Sequence, residues 1–353
     1  MKNLLHKKTG KNLYTIIVLL LLCPLCFQCS QENLLDDLNQ DIDEVTNNEK
    51  ITFTFEIKDA ASIDPFNGDC SFAGGAIYMT GGSNPYEVNN HIMYDITNDT
   101  WSSKTNLPAS RLDAMTASHD NLIYFMGGHY GGKRTEVWRY NPALNTWTSR
   151  ASLPQGTSSA SSIVHNGYIY IFGGYGPSYP YTATANAYRY NISTNTWGAI
   201  SGLPVSDIEK VQLYTARTAT VTHNNSIILI GLYINEAGKY NYAVVEYNPV
   251  TDTYIQDSYP PLPIPISNTG AFVFNNELFV VGGNDEYTSK DQKTIFRLSS
   301  KNNTWVVAGE LPIDSWHGDP SNCILDNNTI YLVVEKIEGV SAKKVIIGKI
   351  ESK

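Results

Sequence analysis

Ile169-Tyr170-Ile171-Phe172-Gly173-Gly174 is a short apolar run ended by a glycine pair, and the chain writes it again and again. The same pattern stands at 77–82, 123–128 and 278–283, with degenerate copies at 227–232 and 330–335. A motif that recurs every few tens of residues implies stacked copies of one supersecondary unit, because a single copy leaves apolar faces uncovered.

Upstream of each run lies a two-residue turn: Gly74-Gly75, Asp120-Asn121, Asn166-Gly167, Asn224-Asn225, Asn275-Asn276 and Asn327-Asn328. Gly, Asn and Asp tolerate the positive φ of a type I′ turn, whose twist matches that of the strands it joins. Downstream, a strand end is followed seven residues later by a large aromatic: Tyr94/Trp101, Tyr140/Trp147, Tyr190/Trp197, Tyr247/Tyr254 and Leu298/Trp305. Turn formers such as Asn141-Pro142 and Asn248-Pro249 sit between the members, and a Leu-Pro pair closes each of these units.

Each unit therefore reads as four antiparallel strands of one sheet. This pattern resembles the kelch repeat, from about residue 51 to the end of the chain. The resemblance implies an all-β fold, a six-bladed kelch-type β-propeller. There are six glycine-ended strands but only five outer strands of the Trp type, so the last blade lacks one strand. Residues 51–57, Ile-Thr-Phe-Thr-Phe-Glu-Ile, alternate at period two and have no other partner, so they are expected to complete the sixth blade and close the ring.

Residues 1–28 carry four lysines, no acid and an apolar run from Ile16 to Leu22, the layout of a secretory signal. Hydrophobicity ends at Cys29, and the segment resembles the signal peptide of bacterial lipoproteins, which implies lipidation at Cys29, with Cys26 the alternative. Residues 29–50 are rich in acid and poor in aromatics, as expected of a disordered tether. The expected location is the cell envelope, anchored to the outer membrane on its periplasmic or external side.

A formal charge of −9 excludes a nucleic-acid binder that works by phosphate neutralisation. His119, His165 and His223 share one repeat position, where the other units place Ala73, Phe274 and Asp326, so they read as strand-end residues. Neither a metal nor a cofactor is called for, and a monomer is expected. Cys70 and Cys323 also coincide in the repeat, aligned with Thr116, Ser162, Thr220 and Ala271 in a ring of small residues on the innermost strands. In a closed ring the first and last blades are neighbours, so Cys70 and Cys323 are a candidate disulfide; two small buried thiols are the alternative.

Strand direction brings two sets of loops out on one face: those after the glycine pairs and those that join blades. Tyrosines beside a few charges suit a sugar or protein ligand. The candidate ligand-binding residues are Arg111, Arg217, Tyr130, Tyr175, Tyr233, Trp316 and Asp285. The favoured function is a non-catalytic glycan- or protein-binding module of the envelope. The alternative is a sugar mutarotase, since the chain distantly resembles kelch-type N-acetylneuraminate epimerases. That resemblance would need a general acid/base at the channel mouth, with Glu209 or His317 beside Arg217 as candidates.

Overall fold

The repeated turns fold as their residues require. The structure, a computed structural model, describes residues 51–59, 68–83, 86–176, 183–204, 219–231, 233–234, 240–241, 243–255, 258–285, 288, 290–315, 323–337 and 340–352. Within them Asp120 and Asn121 have φ of 50° and 57°, Asn224 and Asn225 of 49° and 62°, and Asn275 and Asn276 of 48° and 60°. The asparagines supply the left-handed backbone without glycine at most of these turns.

All elements among the described residues are strands, and they form six blades of four antiparallel strands, beside a hairpin of Tyr233–Ile234 with Tyr240–Asn241 and the short strands Ile266–Ser267 and Asn284–Asp285 added at the fifth blade. Blade 2 is typical: Met115–His119, Leu122–Met126, Val137–Asn141 and Thr146–Arg150, each antiparallel to the next. The aromatic pairs face each other directly across the third and fourth strands, Tyr94 against Trp101, Tyr140 against Trp147, Tyr190 against Trp197 and Tyr247 against Tyr254. Their ring centroids are 4.9–5.0 Å apart.

The same residues lock one blade to the next. Tyr140 Oη donates to Asn145 Oδ1, which also accepts the Thr105 backbone N–H of blade 1. Trp147 Nε1 donates to the Thr105 carbonyl. Tyr190, Asn195 and Trp197 repeat this on Ala151, and Tyr247, Asp252 and Tyr254 repeat it on Ser201. Each tie satisfies both polar groups of a strand end, so the spacing in the sequence is a blade-to-blade connector as well as a packing pair.

The glycine pair has a separate cause. A β-carbon on Gly127, at φ +64°, would lie 2.5 Å from the Thr157 carbonyl. The chain leading to the next blade crosses directly over the pair, and the Gly128 N–H bonds that same carbonyl.

Residues 51–59 form the outer strand of the sixth blade, beside 340–352, as the strand count required; the strand runs two residues beyond the expected end, to Asp59. Thr52 Oγ1 donates to the Glu351 carbonyl, and Lys344 pairs with Asp59 at the other end. Phe55 fits because position 348 is glycine: a β-carbon there would meet the Phe55 ring at 2.6 Å. Lys58 reaches Asp99 of blade 1 at 3.0 Å, and Cys70, Ile77 and Met79 pack on Tyr331 and Val333 across the seam. The fifth blade differs from expectation. Its outer strand is Thr304–Ser315, so Leu311-Pro312 lies inside a strand, which an edge strand tolerates because its outer N–H groups have no ladder partner.

Candidate functional site

The six inner strands surround an axial channel of about 460 Å3. Cys70, Thr116, Ser162, Thr220, Ala271 and Cys323 all line it, one from each blade. Thr116 Oγ1 donates to the Cys70 carbonyl (2.6 Å), Ser162 Oγ to the Thr116 carbonyl (2.8 Å) and Thr220 Oγ1 to the Ser162 carbonyl (3.0 Å). Each hydroxyl thus donates a hydrogen bond to the preceding blade. Ala271 has no hydroxyl to continue the relay.

Cys70 and Cys323 are free thiols, so the candidate disulfide is not formed. The reason is direction. Side chains at this repeat position point to the preceding blade, and Cys323 Sγ lies against blade 5, where a β-carbon on Gly270 would meet it at 3.0 Å. Burial pushes the Cys323 thiol up to about 12.

The two loop sets emerge together and hydrogen-bond. Leu112 pairs with His129, Ser158 with Tyr175, and Ile266 and Ser267 with Asp285 and Asn284. Over blade 2, Tyr130 sits in the loop and is 45% exposed. Arg134 fixes it: the guanidinium donates to the Tyr130 carbonyl through Nε and Nη2, and lies 5.7 Å from the ring centroid. Beside it, His129 Nδ1 is 3.4 Å from Glu87 Oε1, and Tyr86 is 79% exposed. Toward blade 3, Lys133 Nζ donates to Ser158 Oγ and sits 5.5 Å from the Tyr175 ring centre. Burial lowers the Lys133 pKa, with nearby Asp113 opposing the shift.

Arg111 is only 2% exposed. Its Nη2 pairs with Glu136 at 3.1 Å, Nη1 donates to the Ser110 carbonyl, and the guanidinium covers the Trp138 ring at 4.7 Å. It clamps the chain between blades 1 and 2 and presents almost no surface to a ligand. Tyr175 is held in the loop frame by Ser158, and Asp285 Oδ1 accepts the Thr288 N–H of its own turn. The Tyr233 backbone pairs with Asn241, and its side chain lies outside the described residues. Arg217, Trp316, Glu209, His317 and Cys29 lie outside them altogether.

Of the three repeat histidines, His165 contacts Asn166, His119 lies near Asp120, and His223 bonds Tyr259 and the Asn276 carbonyl. Among the described residues no three His, Cys, Asp or Glu are grouped to hold a metal, and no helix is long and apolar enough to cross a membrane. Sequence reasoning passed over Lys133, Arg134 and the pairing of His129 with Glu87; the partners of Lys133 and His129 come from neighbouring loops, and Arg134 turns back on Tyr130 of its own loop.

The family model described as the Attractin/LZTR1 β-propeller matches residues 77–320. The chain belongs to that family. Among solved structures, this Attractin/LZTR1-type propeller is similar to that of YjhT, with a TM-score of 0.62 and 19% identity. The match covers 82% of this chain and 98% of the other, and shows that the kelch-type fold is shared. No curated protein matches the chain.

Proposed function

We propose that the chain is an exported, lipid-anchored kelch propeller whose loop face binds a glycan or protein ligand at the cell envelope. The observation that carries this reading is Tyr130: the residue stays 45% exposed although Arg134 fixes its backbone and lies against the ring. An aromatic surface held rigid before a ligand arrives loses little entropy on contact. Tyr86 and the Glu87–His129 pair extend the surface with a second ring and groups that orient a hydroxyl or amide.

The reading is tested on a glycan array and by pull-down from envelope fractions, with wild type beside Tyr130→Ala and Tyr86→Ala. The expected result is a ligand whose binding falls about tenfold or more in Tyr130→Ala, with the melting temperature kept. Binding that is indifferent to both substitutions removes the loop face from the function. Lipidation is read by fatty-acid labelling: Cys29→Ala should lose the label, and loss in Cys26→Ala alone would move the anchor.

A further inference from the structure

We propose that the axial channel is itself a binding site for one uncharged sugar residue, the terminal unit of a ligand held on the loop face; this rests on the binding reading above. The channel volume of about 460 Å3 lies within the range of roughly 300–1,000 Å3 usual for small-molecule sites. Among the described residues its wall is neutral: no Asp, Glu, Lys, Arg or His lines it, and burial keeps the Cys323 thiol protonated. A carboxylate entering such a site would lose its hydration without meeting a counter-charge, which is strongly unfavourable.

The wall is also mixed in character. Hydroxyls on Ser71, Thr116, Ser118, Ser161, Ser162 and Thr220 alternate with apolar side chains such as Phe72, Met115, Ile163 and Val164 in blades 1–4, and blades 5 and 6 add Ala271, Cys323, Ile324 and Leu325. A pyranose has the matching character, with hydroxyl edges and C–H faces. The relay hydroxyls of Thr116, Ser162 and Thr220 have spent their protons on backbone carbonyls, so their remaining lone pairs accept hydrogen bonds. In an antiparallel strand the N–H and C=O of one residue point the same way, so the carbonyls used by the relay bring their N–H groups to the same free edge. Acceptors and donors without net charge are what a polyol requires.

Ser71 is the independent sign. It lines the channel, is 5% exposed, and its hydroxyl has no hydrogen-bond partner. A buried hydroxyl left unpaired is uncommon.

The test uses saturation-transfer NMR with methyl glycosides of glucose, galactose, mannose and N-acetylglucosamine, each neutral hexose paired with its uronate. Ser118→Phe enlarges a channel-lining side chain at the position where blades 1 and 6 hold Phe72 and Leu325. The expected result is transfer to at least one neutral glycoside, at least tenfold weaker binding of its uronate, and loss of transfer in Ser118→Phe but with an unchanged melt. Uronate binding as tight as the neutral sugar overturns the inference, and so does transfer that survives Ser118→Phe or the absence of transfer to any glycoside. Array binding that depends on Tyr130 and ignores Ser118→Phe overturns the channel alone and leaves the loop-face reading standing.

Discussion

His91 shows how much one residue can depend on its neighbours. It starts the third strand of blade 1 and is fully buried, its ring stacked on Tyr78 and set edge-on to Tyr140 (4.3 Å) and Trp147 (5.0 Å) of blade 2. Nδ1 lies 2.9 Å from Thr80 Oγ1, and burial pushes the pKa down to about 3. The folded protein therefore refuses a proton that the unfolded chain accepts below about pH 6.5. Stability from this group is fully present above that pH and is lost as pH falls toward 3, with a slope of at most about 1.4 kcal/mol per pH unit. Denaturant titrations at pH 6.5, 5.5 and 4.5 should show this slope, and His91→Phe should flatten it by one proton; an equal slope in the variant would remove His91 as its source. Arg111 makes the second residue-scale prediction. Arg111→Ala strands Glu136 and uncovers Trp138, so it should lower stability by about 2–3 kcal/mol. A melt equal to wild type would return Arg111 to the surface as a ligand contact.

At the scale of elements, the strand 51–59 decides whether the ring is closed. It covers strand 340–352, buries Phe53 and Phe55 against the fifth and sixth blades, and reaches blade 1 through Lys58. Removing it exposes a long edge and the apolar cluster of blade 6 together. Deletion of 51–59 is expected to lower the melting temperature by more than ten degrees, since losing several kcal/mol moves a domain at least that far. An unchanged melt by calorimetry would show that the ring holds without it. The outer ties of Tyr140, Asn145 and Trp147, and their counterparts in blades 3 and 4, build a connector into the repeat at the first three interfaces.

At the scale of the whole molecule, the channel ring ties the blades together in one rotational sense. Hydroxyls of blades 2–4 donate backward to the preceding blade and Cys323 follows the same direction, while the seam is held by apolar packing of Cys70, Ile77 and Met79 on Tyr331 and Val333 and by Lys58–Asp99, without a covalent bond. A reductant should therefore leave the melting temperature unchanged, and unreduced denatured protein should alkylate at both Cys70 and Cys323. Loss of alkylation that reductant restores would reveal a bridge.

The blade count, the turn positions and the closing strand were legible in the chain, because each rests on local constraints that repeat in register: positive φ at Asn and Gly, period-two alternation, and a fixed aromatic spacing. The surroundings of Arg111 were not legible, for the opposite reason. Its surface or buried state depends on Glu136 and Trp138, which approach it only when the loops of two blades meet. The cysteines were placed correctly on adjoining inner strands, yet their failure to bridge depends on side-chain direction around the axis, and neither spacing nor composition encodes a direction. Sequence by itself determined the repeat and its closure, since these follow from backbone preference and strand arithmetic. Only the tertiary structure decided which loop side chains remain open to a ligand and which are spent holding the blades, because that division is made by contacts between residues far apart in the chain.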